Sequence, residues 1–363
     1  MPMTKELLDL YSDYLLSSFG ATTATGLSRL LDGAVSHDQV TRFLSEKVKS
    51  SSDLWRVVKP LVRQIESEEG VLIFDDSIEA KPYTDENDII CWHYDHTQGR
   101  NVKGINFLTA LYHSQGVSLP VAFHLVAKTE SYLDQKSGKL KRRSPTTKND
   151  HYRQMLQVCV RNDIPFRYVL NDCWYAAADN MMFIRHELAR HFIMALKSNR
   201  KVALSAQDKS QGRYQTVSTL ALPEGTVQEI HLESVDFPLL LTQQIFTNGD
   251  GSTGILYLVT SDLTLDVARL TTIYQTRWKV EEYHRSLKQN ASLDKSPTRT
   301  VTTQTNHFFA ALCTFVKLEW LRTQTKLNHY ALKSKLYLSA LLSAFQSLQA
   351  LQPPLLAQAS PTA

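Results

Sequence analysis

From Gly70 the chain reads Val71-Leu72-Ile73-Phe74 without a polar interruption, then Asp75-Asp76-Ser77. An unbroken apolar run of this length suits a strand buried on both faces, which only a sheet covered by helices provides. Two more strands follow, from Lys103 to Tyr112 and from Val117 to Ala127. They are joined by His113-Ser114-Gln115-Gly116, the signature of a hairpin. Residues 148 to 161 read as a helix. Phe166 to Asn171 reads as a strand ending at Asp172, and after a further helix Phe192 to Leu196 reads as another strand. The order strand, strand, strand, helix, strand, helix, strand predicts a mixed α/β domain.

That order matches the RNase H-like fold, a mixed sheet with flanking helices. Around it the sequence divides into five segments. Residues 1–69 read as a helical domain. Within it Gly26 to Leu44 forms a short helix, a Gly-containing turn and a second helix capped by Ser36. This layout suits a helix-turn-helix with Gln39 and Arg42 on the outer face, although a plain packing hairpin shows the same pattern. Residues 70–204 form the first part of the core. Residues 205–253, rich in Gln, Thr, Ser and Gly, read as a β-rich insertion. Residues 254–325 return to the core with a long helix from about Thr264 to Gln289. Residues 326–363 form a helical tail. Leu338, Leu341, Leu342, Phe345 and Leu348 mark a stripe on it that is expected to pack on protein, and Pro353-Pro354 ends its helical pattern.

The chain has 363 residues, 43% of them hydrophobic and 21% charged, which excludes a mainly disordered protein. The four cysteines make no C-x-x-C pair, so a reducing, cytoplasmic setting is expected, and no signal peptide or membrane span is read. Net charge is only +4, so a nucleic-acid partner has to be argued from where the charge sits. Residues 136 to 148 carry six basic side chains and no acid: a solvated loop or, beside a nuclease site, a phosphate-contacting one.

Two features converge on chemistry. Asp75 and Asp172 each follow an apolar strand, and in open α/β sheets the working crevice lies at the carboxyl edge. The alternative is that each Asp only starts a turn or caps a helix. Secondly, Tyr274, Arg277, Glu281 and Lys288 are spaced by three, four and seven, within a wedge of roughly 60° on an ideal helix. A core-facing stripe would be apolar. A solvated face with intrahelical ion pairs is the competing explanation. Three separated carboxylates, Asp75, Asp172 and Glu281, are what a pair of Mg2+ ions requires, with Mn2+ as a substitute. Cys91, His93, Asp95 and His96 form another ligand-rich stretch. It has no second ligand pair at metal spacing, so a polar loop near the active site is expected, with Lys103 available for phosphate.

Tyr274-Gln275-Thr276-Arg277-Trp278-Lys279-Val280-Glu281-Glu282-Tyr283-His284-Arg285-Ser286-Leu287-Lys288 resembles the bacterial insertion-sequence DDE transposases, whose third acid lies in a Y-x2-R-x3-E-x6-K signature. Asp75-Asp76-Ser77 is similar to that family's first acidic context, with Asp75 as ligand and Asp76 as spacer. Tyr168-Val169-Leu170-Asn171-Asp172 is similar to the second. The resemblance covers roughly residues 71 to 322. It implies a transposase that cuts transposon ends and joins them to target DNA, acting as a homodimer on paired double-stranded ends at the bacterial nucleoid. It implies DNA contacts by Tyr274, Arg277, Arg285 and Lys288. Members that form a hairpin can stack a flipped base on a tryptophan in the insertion. Residues 205 to 253 hold no Trp, which leaves Tyr214, Phe237 or Phe246 in that role, or a reaction without a hairpin. Competing readings are an RNase H-like nuclease or resolvase without strand transfer, and a catalytically silent DNA-binding regulator.

Overall fold

The computed structural model describes residues 3–96, 98–135, 138–247 and 249–351. Four helices open it: α1 (Met3–Ser17), α2 (Ala24–Leu30), α3 (His37–Ser45) and α4 (Ser51–Ile65). Then come β1 (Val71–Ala80), β2 (Ile90–Asp95), β3 (Arg100–Ser114), β4 (Val117–Leu125), β5 (Glu130–Asp134), β6 (Lys139–Arg143), α5 (Lys148–Arg161) and β7 (Tyr168–Asn171). The chain continues through α6 (Ala178–Met182), β8 (His191–Leu196), β9 (Lys201–Ala203), α7 (Ala206–Ser210), β10 (Gln215–Thr216), β11 (Gln228–Leu232), β12 (Leu239–Thr247) and β13 (Thr253–Thr260). It finishes with α8 (Val267–Gln275), α9 (Lys279–Gln289), α10 (Val301–Thr325) and α11 (His329–Leu351).

An 11-stranded mixed sheet organises the molecule, in the order β10-β9-β11-β12-β13-β8-β7-β1-β3-β2, with β4 also paired to β3. β1, β3 and β4 are antiparallel neighbours, and β7 and β8 run parallel to β1. The run β4-β3-β1-β7-β8 is the RNase H-like arrangement that the order of elements predicts. β1 and β7 lie side by side because both are apolar on both faces: Val71 to Phe74 and Tyr168 to Asn171 are all buried.

The structure departs from the expectations in five places. β1 does not stop at Asp75 but runs on to Ala80, paired with β3 throughout. That pairing is close: a Cβ on Gly104 would collide with the Glu79 carbonyl, so only glycine fits there. The stretch around Trp92 to Asp95, expected as a polar loop, lies in β2, on the edge of the sheet. Alternation explains this, since Cys91 and His93 are buried and Trp92 and Tyr94 exposed. Part of the basic run, Lys139 to Arg143, forms β6 and pairs with acid-bearing β5 through Lys141–Asp134 and Arg143–Glu130 ion pairs. Lys136 and Ser137 lie outside the described residues. The long helix read from Thr264 to Gln289 is broken at Thr276–Trp278 by a 3-10 turn. Finally, the stripe of Leu338, Leu341, Leu342, Phe345 and Leu348 is exposed rather than packed. Leu332 is buried and Tyr337 donates to the Leu16 carbonyl, but α11 then leaves the body. Pro353-Pro354 lies outside the described residues.

The segment 205–253 contributes β10, β11 and β12 to the central sheet, and β12 pairs with β13 from Leu240 to Thr247. The amino-terminal helices also join the common core, where Tyr11, Leu15, Val40, Leu54 and Val58 are fully buried. No helix among the described residues is long and apolar enough to cross a membrane.

Candidate active site

Asp75 lies in mid-β1, opposite Thr109 of β3. It marks the point where the strand changes from buried to half-exposed residues. Asp172 follows the last residue of β7, and its Oδ1 accepts from the Trp174 N–H at 2.9 Å. The third acid comes from α9. Glu281 lies three residues past the 3-10 turn, and the Arg277 Nη1 is 3.6 Å from its Oε1. The turn therefore interrupts the ideal helical stripe without dispersing it, because Arg277 still spans from the ring of Tyr274, 5.9 Å away, to Glu281.

His284, one turn beyond Glu281, is the residue that the sequence reading missed. Its ring packs edge-on to Phe107 at 5.4 Å, Nε2 meets Thr109 Oγ1 at 3.4 Å, and Nδ1 stands 3.9 Å from Asp75 Oδ2. Burial above all, reinforced by Lys288, drives its basicity down to about 3, so the ring is neutral with its lone pair available. Asp75, Glu281 and His284 each offer one atom, and these atoms lie within 4.8 Å of one another. Among the described residues this is the one group of three potential metal ligands. The signal for His284 was its spacing of three from Glu281, which puts both on one helix face.

The electrostatics fit a divalent cation. Burial, followed by the charges of Asp172, Asp76 and Glu281, raises the Asp75 carboxyl well above its usual range. Burial also raises Asp172. Burial opposes the charge of Arg277, yet Tyr274, Asp75, Glu281 and Asp172 together hold it above its ordinary value. Carboxylates crowded on one guanidinium leave excess negative charge on hard oxygen donors, the setting that a divalent cation relieves, and the neutral imidazole beside them adds a borderline nitrogen donor.

Asp76 has a different environment. Its Oδ2 accepts from Lys148 Nζ at 2.6 Å and Asn106 Nδ2 at 2.8 Å, and its Oδ1 from the Tyr175 hydroxyl at 2.7 Å. Burial works against its charge, but Lys148 and these hydrogen bonds lower its pKa overall. Asp76 is thus consumed by structure, whereas Asp75 faces the other acids.

The remaining expected residues are scattered. Lys288 lies over the second half of β1, 3.3 Å from the Ile78 carbonyl and 3.7 Å from Glu79. Arg285 instead lines a cavity on another side of α9, with Lys279, Glu282 and Arg322. Lys103 sits opposite Trp92 in the β2–β3 ladder. Arg42 is exposed on α3, while the Gln39 carboxamide oxygen closes a capping box with the Ser36 N–H. Cys91 Sγ meets His93 Nε2 at 3.3 Å, but among the described residues the two belong to no group of three ligands. Of the aromatic candidates in 205–253, Phe237 packs on His186 and Phe192 and Phe246 is half-exposed on β12.

Comparison with protein families gives a match over residues 3–232 to a family described as DDE superfamily endonuclease. The match includes β1 with Asp75 and β7 with Asp172, and it ends before α9. Comparison with curated proteins gives no match.

Proposed function

The chain belongs to the DDE superfamily endonucleases, and on that premise we propose that it is a transposase that cuts DNA at transposon ends and joins them to target DNA. The observation that carries this reading is the meeting of Asp75 from β1 and Glu281 from α9, with His284, within 4.8 Å. Asp172 supplies a further carboxylate from the neighbouring strand, close enough to raise Asp75. In this reading Asp75, Asp172 and Glu281 hold Mg2+, or Mn2+ in its place. When bound, such ions activate a water or a DNA 3′-hydroxyl and stabilise the leaving oxygen.

The protein's own groups then have assigned tasks. Thr109 and Phe107 hold the His284 ring so that Nδ1 faces Asp75. Tyr274 and Arg277 flank the acids, and the Arg277 guanidinium would meet a phosphate oxygen of the bound strand. Lys288 extends the positive track along β1, Lys103 and Arg285 contact more distant phosphates, and Arg42 reads bases, whereas the carboxamide oxygen of Gln39, the other expected base reader, is engaged in the α3 capping box. Double-stranded terminal repeats are the substrate, two copies of the chain hold the paired ends, and the setting is the bacterial nucleoid.

The test is incubation of the purified protein and Mg2+ with DNA carrying the sequences that flank its gene, together with a target plasmid. Cleavage at the ends and joined products are expected, and both should be absent for Asp172→Asn. Cleavage without joining would make the protein a nuclease or resolvase. Sequence-specific binding without cleavage would make it a silent regulator.

A further inference from the structure

The outer face of the sheet edge beside the acids carries aromatic rings that the proposed chemistry does not use. On β2, Trp92 and Tyr94 project to the same side and are 51% and 53% exposed. The rings continue without a gap: Tyr94 meets His96 at 4.8 Å, and His96 meets Trp174 at 4.7 Å. Trp174 is 44% exposed, and its own N–H is the donor to Asp172. At one end Lys197 Nζ is 5.1 Å from the Trp174 ring centre; at the other Lys103 stands across the ladder from Trp92, whose indole N–H donates to Glu86 at 2.7 Å.

Large rings left half in water have an energetic cost unless something covers them. The ring contacts of Trp174 are to His96 and to the ammonium of Lys197, and 44% of the side chain is left in water. The occupant must have flat aromatic faces, tolerate or need positive charge, and reach a site two residues from a phosphodiester-cleaving carboxylate. Bases inside a duplex have no free face, so a paired helix does not satisfy the surface. Unpaired nucleotides do, because each offers the π-face of its base and a backbone phosphate.

We propose that Tyr94, His96 and Trp174, flanked by Lys197 and Lys103, form a stacking platform for unpaired nucleobases of the DNA strand beside the scissile phosphate. The site takes single-stranded or frayed DNA of any sequence, because stacking is indifferent to base identity. The proposal rests on the DNA-cleaving reading above for its substrate. It assigns the stacking function to the sheet edge rather than to residues 205–253.

The test uses two probes: a blunt duplex, and the same duplex with a short thymidine overhang containing one 2-aminopurine. Full-length protein should prefer the overhang and quench 2-aminopurine on binding. Trp174→Ala should weaken overhang binding about tenfold and abolish quenching while leaving blunt-duplex affinity unchanged, and Trp174→Phe should keep most of both. Far-ultraviolet circular dichroism and the melting temperature of each variant check folding. Equal binding of the two probes, unchanged quenching in Trp174→Ala, or equal loss of both affinities would overturn the platform. Quenching that depends on Trp174, in a protein that never cleaves, would instead sink the nuclease reading and leave the platform standing.

Discussion

Burial and three neighbouring carboxylates hold Asp75 well above the usual carboxyl range, while Lys148, Tyr175 and Asn106 hold its neighbour Asp76 below it. The stability consequences therefore have opposite signs. A raised carboxyl pKa means that the folded state resists ionisation, so at neutral pH the charge of Asp75 works against folding. Asp75→Asn should keep or raise the melting temperature in the presence of a chelator while abolishing cleavage. For Asp76 the charge favours the fold above the unfolded pKa and stops doing so as pH falls. Asp76→Asn strands the half-buried Lys148 and should cost on the order of 3 kcal/mol, read as a lower melting temperature. Should Asp75→Asn melt early and Asp76→Asn melt normally, the assignment of ligand and support would be inverted. Direct binding gives a separate readout: Mn2+ titrated calorimetrically into the wild type should release heat that Asp75→Asn and Glu281→Gln do not show.

At the scale of the element, α9 places two neighbouring glutamates in different settings within one turn. Glu281 turns toward Asp75 and His284, whereas Glu282 pairs with Lys279 at 2.9 Å on an exposed face. Glu281→Gln should reduce cleavage by at least about 100-fold, and Glu282→Gln should stay within about twofold, since exposed i,i+3 pairs are worth a few tenths of a kcal/mol. Equal effects would place the stripe on the wrong face. A second element contact links α10 to its neighbours. Glu319 is buried, accepting from the Ser118 N–H of β4 at 2.8 Å, from Arg322 at 2.7 Å and from His329 of α11 at 2.9 Å. Burial would raise its pKa, but the hydrogen bonds from His329, Arg322 and Ser118 pull it down to about 2 from 4.5. The shift is a depression, so its stabilisation is complete above pH 4.5 and is lost as pH falls toward 2. Glu319→Gln should remove about 3 kcal/mol at pH 7 and flatten the acid limb of the stability curve. An unchanged acid limb would show that this cluster does not govern acid unfolding.

The whole molecule shows which information local sequence carries and which it does not. The RNase H-like centre was legible because β1 and β7 are continuous apolar runs, and periodicity reports burial on both faces directly. The acids were legible as candidates because each is the first charge after such a run or lies at helical spacing from Arg277. Three features needed the fold. The polar half of β1 is held as strand by β3, not by its own composition. The turn at Thr276–Trp278 carries no Gly or Pro to announce it. His284 becomes a candidate only when β1 and β3 present Asp75 and Thr109 to α9. The amino-terminal helices make the same point on the largest scale. Composition reads residues 1–69 as a separate binding module, yet α10 binds them tightly. His307 Nδ1 meets the Tyr11 hydroxyl at 3.1 Å, and Asn306 accepts from the Lys49 N–H at 2.9 Å and donates to the Leu44 carbonyl at 3.0 Å. Removing residues 1–69 also strips Tyr11, Leu15, Val40, Leu54 and Val58, all fully buried, from the core. At about 2 kcal/mol per large apolar side chain, those five alone approach the whole stability of an ordinary domain, about 5–15 kcal/mol. The truncated chain should therefore be insoluble or molten, so lost DNA binding in that deletion says nothing about base reading. Arg42→Ala is the informative variant, because Arg42 is exposed and makes no core contact. It should melt with the wild type, bind the terminal sequence about fivefold or more weakly, and lower the salt slope of binding by about one if the contact is to phosphate. A soluble, cooperatively folding 70–351 fragment would refute the shared core, and unchanged affinity in Arg42→Ala would leave α2 and α3 as packing helices.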